Sequence, residues 1–143
     1  MDNRSHQTFP DEASFRRFAA TFARRLQPGD VVALSGPLGS GKTTFVRAVV
    51  TALHGGDETS SPTFTFWHRY DGAPPIDHVD LYRIADPSEI CELGLEDAID
   101  DERSIVLVEW WQNAPSLAGA RRYEIDIAGA GDQPRSLRLT VLR

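Results

Sequence analysis

Residues 36–43 combine residue types and a spacing that bind phosphate. They read Gly36-Pro37-Leu38-Gly39-Ser40-Gly41-Lys42-Thr43, which fits the pattern G-x-x-x-x-G-K-[ST]. Glycines allow the backbone dihedrals that turn N–H groups toward phosphate oxygens, and the lysine of such a loop reaches the β- and γ-phosphates. The hydroxyl after the lysine is a Mg²⁺ ligand in these loops. The pattern predicts a nucleotide site, and its alternative is a chance glycine-rich turn.

The segments on either side of this loop decide between those two interpretations. Residues 31–35 form an apolar run of strand length, and residues 44–53 have the composition of a helix that ends near Gly55. A strand, a glycine-rich loop and a helix in that order are the context that a phosphate-binding loop requires. We therefore predict that the nucleotide contacts the loop itself and the first residue of the helix beyond it, namely Gly36, Leu38, Gly39, Ser40, Gly41, Lys42, Thr43 and Thr44.

Further elements are predicted along the rest of the chain. Residues 1–8 have the character of a loose start, and Asp11 is a helix N-cap before an apolar stripe that should stop at residues 27–29. Alternation and β-branched residues predict the remaining strands, and capping signals predict two short helices. The strands cover 62–70, 76–82, 104–110, 122–127 and 136–142, and the helices cover 86–93 and 95–99. These elements predict one domain over residues 1–143, an α/β three-layer sandwich of the P-loop NTPase type with a compact mixed sheet.

Acidic residues near strand ends are candidates to complete the site. Glu109 ends an almost wholly apolar run, the pattern of a buried strand, where an unpaired carboxylate is costly. For Glu109, the pattern favours a metal-binding acid over an acid at a solvated strand end. Asp80, on a predicted hairpin strand, is the second candidate, and its pattern fits a site acid and an exposed acid equally well. His78 on the same strand is either a base or a structural histidine. Thr63 either caps a strand or bonds the γ-phosphate.

Bulk composition limits the function classes. The formal charge of −6 over 143 residues argues against this chain being the main nucleic-acid-binding surface, which is usually basic. Cys91 is the only cysteine, so an intrachain disulfide and a thiolate metal cluster are excluded. No apolar run approaches membrane-spanning length, and we expect a cytoplasmic protein without membrane contact.

With these residues in place, the chain resembles the TsaE family, formerly called YjeE, of bacterial tRNA threonylcarbamoyladenosine biosynthesis proteins. The resemblance runs from about Pro10 to Leu142 in the family's motif order. Besides the loop, it rests on Ser61-Pro62-Thr63-Phe64-Thr65, His78-Val79-Asp80-Leu81-Tyr82-Arg83, Asp86-Pro87-Ser88-Glu89, Glu92-Leu93-Gly94-Leu95-Glu96-Asp97 and Val108-Glu109-Trp110. One departure is Pro37, where the family commonly has an acid; proline removes a backbone N–H and alters the donor count of the loop.

The resemblance implies a Mg²⁺-dependent ATPase. Its site would place Lys42 on the ATP phosphates, Thr43 and Glu109 at the metal, and Asp80 near the γ-phosphate and its water. Thr63 would lie in a switch-like loop. Glu12 and Arg135 match family positions near the nucleotide.

The resemblance also implies partners. Proteins of this family bind the TsaB–TsaD heterodimer, and their ATP turnover supports repeated cycles of modification at tRNA adenosine 37. The tRNA would then be met indirectly, through the complex. Two other functions remain open: a small-molecule kinase, although no Arg-rich lid segment is evident, and a nucleotide-binding switch with negligible hydrolysis.

Overall fold

The fold is built on a seven-stranded mixed sheet with helices on both faces. The computed structural model describes residues 3–55, 66–84, 86, 88, 94–100 and 102–142. The strands are β1 Arg4–Phe9, β2 Val31–Ser35, β3 Trp67–Tyr70, β4 Ile76–Asp80, β5 Ile105–Glu109, β6 Tyr123–Ala128 and β7 Arg135–Val141. The described helices are α1 Glu12–Ala23, α2 Lys42–His54 and α3 Leu95–Asp100, with 3₁₀ turns at Trp111–Asn113 and Pro115–Ala118.

The strand order is β1-β7-β6-β2-β5-β4-β3. The four central strands β6, β2, β5 and β4 run parallel, whereas β3, β7 and β1 join antiparallel at the two sides. The carboxyl ends of β2, β5 and β4 therefore meet at one edge of the sheet, which is where ligands bind in open α/β sheets.

Two hydrophobic clusters fill the two faces of the sheet. On one face α1 and α2 cover the central strands, and the centroid of the Phe45 ring of α2 lies 6.0 Å from that of Phe15 and 5.7 Å from that of Phe22 on α1. On the other face, Leu95 and Ile99 of α3 and Leu117 of the second 3₁₀ turn pack on the alternate side chains of β4 and β5. Because helical elements lie on both faces, the predicted three-layer α/β sandwich is confirmed.

Most predicted elements are confirmed within a few residues. Asp11 caps α1, accepting a hydrogen bond from the Ser14 N–H at 2.8 Å. The helix ends at Ala23 rather than at residue 27, and turns carry the chain on to the buried Leu26. The β3–β4 hairpin and the antiparallel β6–β7 pair form as predicted.

The start of the chain differs from the prediction. Residues 4–9 form β1, which pairs antiparallel along β7, so a loose start is wrong for residues 4–8. Its side chains are exposed as far as Thr8 and only Phe9 is buried, so the strand carries no apolar alternation that would reveal it. Pairing with a partner more than 100 residues away holds it instead.

Some predicted elements lie partly outside the described residues. Only residues 67–70 of the predicted strand 62–70 are described as strand. At the start of the predicted helix 86–93, the Asp86 carboxylate accepts a hydrogen bond from the Ser88 N–H at 3.0 Å. In the described part of the chain, no helix combines the length and apolar character needed to cross a membrane.

Candidate functional site

The phosphate loop connects the end of β2 to the start of α2. At Gly36 a Cβ would lie 2.4 Å from the Ile127 carbonyl oxygen and 2.7 Å from the Ser40 hydroxyl, so only glycine fits there. Gly41 is the N-cap immediately before α2, and its φ of 107° is a left-handed conformation that residues with side chains rarely adopt. With these dihedrals, the loop can present successive N–H groups and the N-terminus of α2 to an anion.

Lys42 lies at the bottom of this loop and is only 5% exposed. Its ammonium donates hydrogen bonds to the carbonyl oxygens of Gly36 at 2.5 Å and Pro37 at 3.1 Å, and it lies 4.5 Å from the centroid of the Trp110 ring. Burial lowers the pKa of Lys42, and the Glu109 and Asp80 carboxylates oppose that shift. The buried Lys42 ammonium therefore lies where the motif requires a cation that binds phosphate.

The two predicted acids lie side by side. Strands β4 and β5 are parallel with Asp80 opposite Glu109, so both acids end their strands at the same edge of the sheet. Glu109 is 2% exposed, and its Oε2 accepts a hydrogen bond from the Thr43 hydroxyl at 3.3 Å. Asp80 is half-buried, and its Oδ1 accepts from the Tyr82 N–H at 3.0 Å.

These residues fit the ligands of a phosphate-bound divalent cation. The Thr43 hydroxyl and the Glu109 carboxylate are oxygen donors, which Mg²⁺ prefers, and one or two protein ligands suffice when phosphates and waters complete its coordination. Close to them, the Ser40 hydroxyl is buried and has no hydrogen-bond partner in the described part of the chain. The loop, Lys42 and Glu109 thus have the donor groups that a metal-bound nucleotide would require.

His78 occupies a position that the sequence left open. Its Nε2 lies 2.5 Å from Glu109 Oε2, and its side chain is 13% exposed. His78 and Asp80 are two residues apart on β4, so their side chains lie on the same face of the sheet, the face that carries Glu109. That spacing was the available signal in the sequence, but the partner of His78 depends on the β4–β5 register.

Arg135 braces the phosphate loop from β7. Its guanidinium donates to the carbonyl oxygens of Ser40 at 2.8 Å and Gly39 at 3.3 Å. It also donates to Gln133 at 2.6 Å and Gly131 at 3.2 Å. The family resemblance implied a position for Arg135 near the nucleotide, and the structure places it against the loop that would bind one.

Two adjoining cavities share Gly41, Thr44 and Arg135. One, of about 280 Å³, is lined in addition by loop and helix residues and by residues at the ends of β4 and β5, namely Leu38, Gly39, Lys42, Thr43, Asp80, Tyr82, Glu109 and Trp110. The other, of about 380 Å³, is lined by residues 9–12 with Phe15 and by residues 131–133. Glu12 lies in this second cavity and forms a 3.6 Å ion pair with Arg16.

The structure thus gathers nearly all the predicted site residues around these cavities. Leu38, Gly39, Gly41, Lys42, Thr43, Thr44, Asp80, Glu109, Glu12 and Arg135 line them, and Gly36 and Ser40 belong to the same loop. Thr63 lies outside the described residues.

Two tryptophans support the site in ways that the sequence did not indicate. Trp110 has a left-handed backbone with φ 56°, and its ring faces Tyr82 as well as the Lys42 ammonium. The Trp111 indole donates to the Ser35 hydroxyl at 3.0 Å, which ties the 3₁₀ turn after β5 to the end of β2.

Comparison with known proteins agrees with the resemblance. The family described as "Threonylcarbamoyl adenosine biosynthesis protein TsaE" matches residues 9–137. The tRNA threonylcarbamoyladenosine biosynthesis protein TsaE of Bacillus subtilis is 37% identical over 135 residues, covering 93% of this chain and 82% of that protein. The protein of the same name from Haemophilus influenzae is 39% identical over 117 residues, covering 78% and 73%.

A solved structure extends the similarity to the fold. The crystal structure of YdiB from Bacillus subtilis superposes with a TM-score of 0.75 at 28% identity, covering 100% of this chain and 88% of that one.

Proposed function

The chain belongs to the TsaE family of threonylcarbamoyl adenosine biosynthesis proteins, and we propose that it acts there as a Mg²⁺-dependent ATPase. The observation that carries the proposal is the meeting of Thr43 and Glu109 beside the Lys42 ammonium. A hydroxyl, a carboxylate and a buried cation at the end of a glycine-rich loop are the parts that bind the metal and the phosphates in proteins that hydrolyse ATP.

Each part has a defined task in this proposal. The loop N–H groups and Lys42 bind the ATP phosphates, and Thr43 and Glu109 hold Mg²⁺. When bound, Mg²⁺ neutralises charge on the β- and γ-phosphates. Asp80, at the adjacent strand end, orients the attacking water, and Thr63 contacts the γ-phosphate.

The nucleoside would lie beside this phosphate site. The second cavity contains Glu12 and Arg135 and opens next to Gly41 and Thr44, where the rest of a nucleotide must lie once its phosphates occupy the loop. Arg135 directs its donors to loop carbonyls, so its role is to hold the loop in shape and to supply positive charge.

We further propose that the protein is an accessory subunit of the TsaB–TsaD heterodimer. In this role it works in the cytoplasm and supports repeated threonylcarbamoylation of tRNA adenosine 37. Leu38 and Tyr82 are 61% and 44% exposed at the mouth of the phosphate cavity, an apolar feature that suits a protein partner. The net charge of −6 suits contact with tRNA through that partner rather than directly.

ATPase measurements with and without purified TsaB–TsaD test the proposal. Wild-type turnover should require Mg²⁺ and rise when the heterodimer is added. Asp80→Ala should lower turnover by about 100-fold or more, the scale expected when a side chain that positions the attacking water is lost. Glu109→Ala should lower turnover because Mg²⁺ is held less tightly. Asp126→Ala is the matched control, because it removes an exposed acid from β6, outside both cavities.

Other outcomes would point elsewhere. Nucleotide binding without turnover, even with the heterodimer, would support the switch, and phosphorylation of a metabolite would support the kinase. Normal threonylcarbamoyladenosine in the tRNA of cells lacking the protein would contradict the role in modification.

A further inference from the structure

His78 lies beneath the proposed metal site, and the hydrolysis described above gives it no task. Resting on the proposed function, we propose that His78 is a positioning residue that fixes the Glu109 carboxylate in the orientation that binds the metal. It acts through Glu109 and does not itself contact the metal or the nucleotide.

Strand geometry brings the two side chains together. His78 is opposite Leu107 and Asp80 is opposite Glu109 in the parallel β4–β5 pair, so the His78 and Glu109 side chains meet across an offset of two residues along the strands. His78 Nε2 then lies 2.5 Å from Glu109 Oε2. The Thr43 hydroxyl approaches the same oxygen at 3.3 Å from the start of α2.

The chemistry of the contact sets the direction of the hydrogen bond. An ionised carboxylate only accepts hydrogen bonds, so His78 Nε2 carries the proton and donates it. The Glu109 side chain is 3% exposed, and a buried carboxylate without a donor would cost a large desolvation free energy. Its contact with His78 therefore selects one rotamer of Glu109.

This arrangement directs one oxygen of Glu109 inward. Oε2 of Glu109 is hydrogen-bonded to His78 and Thr43. These two contacts fix the plane of the carboxylate and, with it, the position of its second oxygen. Hydrogen-bond partners of metal-binding side chains orient the ligands in this way, and losing one typically lowers metal affinity about 10–100-fold.

Two kinds of role for His78 make different predictions. If His78 only fills space in the sheet, its loss affects nucleotide binding equally with and without Mg²⁺. If it positions Glu109, its loss affects only the part of the affinity that Mg²⁺ contributes. The measured quantity is therefore the ratio of the dissociation constants of a non-hydrolysable ATP analogue in EDTA and in Mg²⁺.

The variants are His78→Gln, His78→Asn and His78→Leu, measured by isothermal titration calorimetry. The Gln amide can place a donor near the position of Nε2, whereas Asn is too short and Leu has no donor. We expect His78→Leu and His78→Asn to lower the ratio about 10–100-fold and His78→Gln to retain most of it. The EDTA affinity should stay at the wild-type value in all three.

Two further variants complete the design. In the Glu109→Ala background, His78→Leu should lower the ratio no further, because residues that act through one another are not additive. His54→Gln is the matched control: His54 Nε2 lies 2.7 Å from the Pro74 carbonyl oxygen, on the turn of the same hairpin, and His54 lines neither cavity of the site.

Several results would overturn the inference. These are an unchanged ratio in His78→Leu, an equal loss in EDTA and Mg²⁺, or a further loss in the Glu109→Ala background. If His78→Leu does not fold, equal ratios for the Gln and Asn variants contradict it. A wild-type protein whose analogue affinity does not respond to Mg²⁺ contradicts the proposed function itself, and this inference falls with it.

Discussion

Replacing Arg135 with alanine should loosen the phosphate loop and weaken nucleotide binding together. The guanidinium joins two segments 95 residues apart in sequence, donating to Ser40 in the loop and to Gln133 in the turn before β7. At 2.8 Å and 2.6 Å these are the two short bonds of the set; the bonds to Gly39 and Gly131, at 3.3 Å and 3.2 Å, are longer.

The magnitude follows from these bonds. A hydrogen bond from a charged donor contributes about 1.5–3 kcal/mol when it is well shielded, and Arg135 is only half-buried. Counting the two short bonds at a reduced value, Arg135→Ala should lower the free energy of unfolding by about 1–3 kcal/mol. If the less ordered loop lowers the free energy of ATP binding by about 1.4 kcal/mol, ATP binds about tenfold more weakly.

Urea unfolding and calorimetric ATP titration measure the two effects. Arg135→Lys keeps the charge but loses the forked donor geometry, so it should recover only part of each. Arg138→Ala, three residues along β7 and exposed, should change the free energy of unfolding by less than about 0.5 kcal/mol. Wild-type stability and wild-type ATP affinity in Arg135→Ala would refute the bracing role, and so would full recovery by lysine.

Three further substitutions test separate parts of the site. Lys42→Met should abolish ATP binding in calorimetric titration. Because burial lowers the pKa of Lys42 in the folded protein, wild type should gain stability relative to this variant as the pH rises from 7 toward the ordinary lysine pKa. A stability difference in urea unfolding that stays constant over this pH range would contradict this. Gly36→Ala should sharply reduce folded protein in circular dichroism, since its Cβ would lie 2.4 Å from the Ile127 carbonyl oxygen; a variant as stable as wild type would contradict that steric argument. Asp11→Ala should lower the thermal midpoint at pH 7, because the hydrogen bond from the Ser14 N–H lowers the pKa of Asp11 and stabilises the folded state. This stabilisation is present above the unfolded-state pKa of Asp11 and disappears as the pH falls through the lower folded-state value. An equal difference in thermal midpoint at pH 7 and pH 2 would contradict it.

The phosphate loop and its flanks were predictable because their signals are local. Strand β2, the glycines and the start of α2 follow one another within 20 residues, and each signal depends only on its neighbours. Glu109 was predictable for a related reason: the apolar run before it indicates burial, and a buried acid needs a partner.

Contacts between distant segments were not predictable from such signals. Arg135 reaches the loop across 95 residues and His78 reaches Glu109 across 31, and neither pair shares a local pattern. Strand β1 is similar, because five of its six side chains are exposed and its existence depends on backbone pairing with β7. In each case the sequence supplies the residue, and the sheet order supplies its partner.

Buried polar contacts also specify the register of β4 and β5 that builds the site. Strand β5 buries both faces, so its apolar residues would fit β4 equally well after a slip of two residues. Polar contacts distinguish the registers: a two-residue slip moves β5 by about 7 Å along β4 and separates His78 from Glu109. On the other side of β4, the buried Asp77 accepts from the Trp67 indole at 2.9 Å and lies opposite Arg69. Because a buried carboxylate without a hydrogen-bond donor is costly, Asp77 and Glu109 each favour a single alignment of β4 with its neighbours. That alignment places Asp80 and Glu109 together beside Lys42.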